Sequence, residues 1–165
     1  MNRTSTVAFV SLALLSVTQA AWQHGRLPET VATHFNTLGQ PDAWGPRDNL
    51  TAWHLGTVLF IAGMFEGIAR IGRLIPAELV NIPHRDHWLA PERREATLTH
   101  LSTMTHWMGC AVLAFLMGVF HQVYRANTGG DSLTAAMVVL VAGLLISIAA
   151  ILGGFLLRFA RAPAA

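Results

Sequence analysis

Four long apolar segments restrict this chain to folds whose surrounding solvent is lipid. A helix needs about 20 mostly apolar residues to cross roughly 30 Å of hydrocarbon. Thr6–Trp22, Ala52–Ile71, Leu101–Tyr124 and Leu133–Phe159 meet or nearly meet that length. Only 12% of the 165 residues are charged and 53% are hydrophobic, whereas soluble domains carry about 25% charged residues. The expected fold class is therefore all-α: one integral membrane four-helix bundle. The first segment is the shortest and ends in "TQAAW", so a cleaved signal peptide competes with a membrane helix there.

Arginine placement predicts the orientation. All eleven basic residues are Arg, and short cytoplasmic flanks collect them. With the N-terminus inside, Arg3, Arg70, Arg73, Arg85, Arg93, Arg94, Arg158 and Arg161 are cytoplasmic, and only Arg26, Arg47 and Arg125 lie outside. Both termini are then cytoplasmic, the loop 23–50 faces outward, and the polar connection 72–100 faces inward. Trp22, Trp53, Trp88 and Tyr124 fall near the boundaries, as interfacial anchors do. A net charge of +2 gives no reason to expect nucleic acid as a partner. The lone Cys110 rules out an internal disulfide. No nucleophile motif or phosphate-binding loop is present, so a non-enzymatic role is favoured.

Small residues suggest packing faces. Gly56, Gly63 and Gly67 share one face of the second segment and include a GxxxG pair. Packing inside the bundle is the expectation, with a homodimer seam as the alternative. Gly143, Gly153 and Gly154 are the corresponding points on the fourth segment.

The loop "LPETVATHFNTLGQPDAWGPR" carries an unusual density of specific residues. Pro28, Gly39, Pro41, Gly45 and Pro46 make it turn repeatedly. "NTLGQPD" and "WGPR" are expected as tight turns, with Phe35 and Trp44 packing onto the bundle mouth and Asp42 pairing with Arg47. Leu27, Pro28, Val31, His34, Phe35, Asn36, Gly39, Pro41, Asp42, Trp44, Gly45 and Arg47 resemble the pattern of the membrane domain of unknown function 1648. That domain forms the N-terminal part of SdpI-type bacterial immunity proteins. "NIPHRDHWLAPERRE", Asn81 to Glu95, resembles a run that many standalone members carry after their second helix. The resemblance thus spans about Val10 to Met104. It implies a multi-pass protein of the bacterial inner membrane, of immunity, sensing or envelope-interaction type.

Three sets of candidate residues follow. In the outer loop, His34, Asn36, Asp42, Trp44 and Arg47 either organise the loop or bind an extracytoplasmic peptide or lipid. Imidazole and carboxylate also suit a metal, with His34, His54 and His121 as ligands; a metal-dependent enzyme at the outer face is the alternative function. Within the membrane, Glu66 is a functional candidate by default. Arg70, one turn on, is its expected partner, and a small transporter component is the third function. In the inner connection, Pro91 suits the first turn of a helix with Glu92 near its positive end. Asn81, Asp86, Trp88, Glu92, Arg93 and Arg94 form the expected surface for membrane lipid or a cytoplasmic regulator.

Overall fold

The computed structural model describes residues 2–129 and 134–160. Leu133 and Arg161, used above to bound the fourth segment and to count charges, lie outside the described residues. The chain runs through α1 (Arg3–His24), β1 (Thr30–Phe35), β2 (Pro41–Pro46), α2 (Arg47–Ile71), the short α3 (Arg85–Trp88), α4 (Pro91–Asn127) and α5 (Thr134–Phe159). Among the described residues, α1, α2, α4 and α5 are long and apolar enough to cross a membrane. The protein thus has the architecture of a multi-pass membrane bundle.

The helices outrun the apolar segments because hydrocarbon thickness limits the apolar length, not the helix. α4 starts at Pro91, as its first-turn chemistry predicts, and continues for 37 residues. At 1.5 Å per residue it is about 55 Å long, well beyond a bilayer core. Asn2 caps α1 by accepting from Thr4 N at 2.9 Å.

α1, α2 and α4 pack mutually, and α5 lies along α4. Phe9, Val58, Cys110 and Leu113 form the core between the first three helices. A second core joins Val80, Ile82 and Leu89 of the connection to Leu98 and Phe159. The C-terminal end of the described chain reaches this connection, where His84 Nε2 lies 3.3 Å from Ala160 O. The hairpin occupies the opposite end of the bundle.

The expected glycine faces are not where helices approach each other. Among the described residues, a Cβ added at Gly56, Gly63, Gly67, Gly143, Gly153 or Gly154 would meet no atom within 4 Å. Packing inside the bundle is therefore not their role. Close approach falls instead at Gly109 of α4, where a Cβ would stand 2.5 Å from the Phe9 ring, and at Gly118, which abuts Leu140 of α5. The sequence period of the glycines shows that they share a face, but not which face the bundle buries.

The other departure from an all-helical fold is the loop itself, which forms a two-stranded antiparallel hairpin. Its strands contain proline and short polar residues, so they lack the apolar alternation that marks a strand in sequence. "NTLGQPD" does form the turn. "WGPR" does not: Trp44, Gly45 and Pro46 finish β2, and Arg47 opens α2.

Candidate functional site

The hairpin is built around two bulges and one side-chain-organised turn. Ala32 pairs with Trp44 and His34 with Ala43, so Thr33 is extra on β1; Phe35 pairs with Pro41, so Asp42 is extra on β2. Bulges re-aim side chains. Here the His34 Nδ1 and Asp42 Oδ1 atoms meet at 2.5 Å on the exposed face, leaving the side chains 69% and 44% accessible. Asn36 Oδ1 accepts from Leu38 N at 2.9 Å and Gln40 N at 3.0 Å. Gly39 closes the turn at φ +74°, a conformation glycine adopts without steric cost.

Three contacts fix the hairpin to the bundle. Val31 and Ala32 are buried at its base. Arg47 Nη1 donates to Leu27 O at 3.0 Å. Asn127, at the end of α4, serves the edge of β1 like another strand: its Oδ1 accepts from Ala32 N at 2.6 Å and its Nδ2 donates to Ala32 O at 3.2 Å. The expected Asp42–Arg47 pair is absent, since Asp42 meets His34 and Arg47 reaches back to Leu27. Nor does Trp44 pack downward; it is 60% exposed. Phe35 is half-buried and, with Asn36, Thr37 and Gly39, walls an open groove of about 590 Å³ completed by Met137, Val138 and Leu145 of α5.

The proposed metal ligands are dispersed. His34 is on the hairpin with Asp42. His54 is buried and stacked on Phe120, with ring centroids 3.8 Å apart. His121 is exposed and lies 6.2 Å from Tyr124, centroid to centroid. Among the described residues no three His, Cys, Asp or Glu side chains converge as a metal would require.

At the other end, Glu66 is the hub of a polar network. Arg70 Nε donates to its Oε1 at 2.6 Å, the expected pairing. The second partner comes from α4: His106 Nε2 lies 3.0 Å from Glu66 Oε2. His106 is fully buried. Its Nδ1 lies 3.4 Å from Thr6 Oγ1 of α1, and Phe9 stacks on its ring at 5.4 Å. Three helices therefore meet at one carboxylate–imidazole pair. Nothing in the sequence singled out His106, which is 40 residues from Glu66. The available signal was its position one helical turn above Ser102, which donates to Ala69 O at 2.8 Å on the same α2–α4 seam.

The connection is folded onto the base of α4. Arg94 donates to Ile75 O at 3.3 Å, and Thr97 to Trp88 O at 2.7 Å. Arg73 pairs with Glu95. Asn81, Asp86, Glu92 and Arg93 are exposed. Trp88 is not an exposed surface residue: it is half-buried, edge-on to Phe159 at 5.3 Å, because the connection folds its apolar side against α5.

The helices and hairpin together define a class, a four-helix multi-pass membrane protein with a hairpin set on one end of the bundle. Residues 11–60 match the family model described as Domain of unknown function (DUF1648). The matched stretch covers most of α1, the whole hairpin and the first half of α2. It stops short of the Asn81–Glu95 run. No curated protein and no solved structure matches the chain.

Proposed function

We propose that this protein is a non-enzymatic module of the bacterial inner membrane, of immunity, sensing or envelope-interaction type. The hairpin faces outward and binds an amphipathic peptide or lipid. One observation carries this reading: the hairpin is anchored at its base, yet Trp44 and the His34–Asp42 pair stay exposed. A loop needed only as a cap would turn its large aromatic residue inward. Defined loop chemistry on a rigid scaffold is a common basis for recognition. The groove beside α5 suits an amphipathic ligand, with Asn36 and Thr37 at its rim and Val138 and Leu145 in its wall. The test is survival under envelope stress or toxin challenge for His34→Ala, Asp42→Ala and Trp44→Ala. Loss of survival at wild-type expression is expected. Unchanged survival in all three would overturn the reading.

A second reading, a small proton-coupled transporter component, draws on the Glu66–His106 pair. Intramembrane ionisable pairs commonly mark ion or proton paths. Proton flux in proteoliposomes tests it: Glu66→Gln should abolish a flux that the wild type shows, and a wild type without flux would end this reading.

A further inference from the structure

A small cavity lies under the hairpin, between the ends of α1 and α2. It is lined by Gln23 and Leu27 on one side, Thr51 and His54 on another, and Phe120 and Tyr124 of α4. Two of these side chains present unsatisfied polar atoms. Among the described residues, Gln23 Nε2 and His54 Nε2 are buried without a hydrogen-bond partner, and their residues are only 4% and 3% exposed. Buried polar atoms are rarely left unpaired, because each costs about 1–3 kcal/mol when it is. The cavity volume is about 10 Å³, at the lower limit of the space that one water needs.

We propose that this cavity is a binding site for a single ordered water that bridges Gln23 of α1 to His54 of α2. Gln23 Nε2–H donates to the water oxygen. The water donates to His54 Nε2, which requires the neutral imidazole with its proton on Nδ1. Stacking on Phe120 fixes the ring plane and so the direction of that acceptor. Gln23 and His54 supply the two partners that a buried water needs at minimum, and Thr51, whose Oγ1 lies 3.0 Å from His24 Nδ1, also lines the cavity. A metal ion is a poor occupant: a neutral amide N–H is no ligand, and the volume admits no further coordinating group. The water ties the two helices together where the chain leaves α1 for the hairpin, independently of what the hairpin binds.

The experiment is NMR on the full chain in nanodiscs, with labelled His and Gln side chains. A cross-peak between water and the Gln23 amide protons, together with a neutral His54 whose Nε2 is the acceptor, is expected. Gln23→Leu should lose the water contact at His54 while the backbone spectrum of α2 stays folded. A proton on His54 Nε2 in the wild type would overturn the proposal. So would a Gln23 amide that shows no water contact. Because both measurements use unmodified protein, an unfolded variant does not blunt the test.

Discussion

Asn127→Ala offers the most direct test of how the hairpin is held. In the structure Asn127 supplies both the acceptor for Ala32 N and a donor for Ala32 O. Ala32 is buried, so neither backbone group is readily taken over by bulk water. Losing one buried hydrogen bond in this way costs about 1–3 kcal/mol. Taking about 2 kcal/mol for the N–H alone, its local opening should become roughly 30-fold more frequent, since every 1.4 kcal/mol is tenfold. Residue-resolved hydrogen exchange in nanodiscs reads this at Ala32, with the α2 amides as an internal standard. Thr128→Ala is the control, because among the described residues its hydroxyl bonds the Tyr124 and Arg125 carbonyls of its own helix and not the hairpin. If Ala32 exchanges at the wild-type rate in Asn127→Ala, the hairpin is held by apolar burial of Val31 and not by the end of α4. The rigid-platform basis of the proposed recognition would fall with it.

Other expectations follow from the packing. Gly109→Ala should lower stability by about 1–3 kcal/mol in thermal unfolding, because the new methyl meets a Phe9 ring already pinned against His106. Gly63→Ala should stay within about 0.5 kcal/mol of wild type in the same assay, since nothing lies within 4 Å; a larger loss would show that the open face is covered, as a homodimer seam would be. His106→Ala should cost about 3 kcal/mol by leaving a cavity under Phe9 and one Glu66 oxygen unpaired, and an unchanged melting temperature would refute the three-helix junction. His34→Ala should change stability by less than about 1 kcal/mol, because the pair is exposed on both sides. Its effect should appear in ligand-dependent survival instead.

The sequence by itself determined the four helices, because bilayer thickness demands apolar runs of a length that local composition displays. It also determined the start of α4, through Pro91 and Glu92, and the pairing of Glu66 with Arg70, both matters of neighbouring residues on one helix. The turn at Gly39 was legible for the same reason. Only the tertiary structure decided the rest. His106 reaches Glu66 because α4 returns antiparallel beside α2, at a depth that no periodicity encodes. Asn127 becomes part of the β1 edge because α4 happens to end level with Ala32. Two bulges decided that Asp42 meets His34 and not Arg47. The glycines show the limit most clearly: spacing places Gly56, Gly63 and Gly67 on a common face, but only the arrangement of neighbouring helices determines whether that face meets protein or lipid.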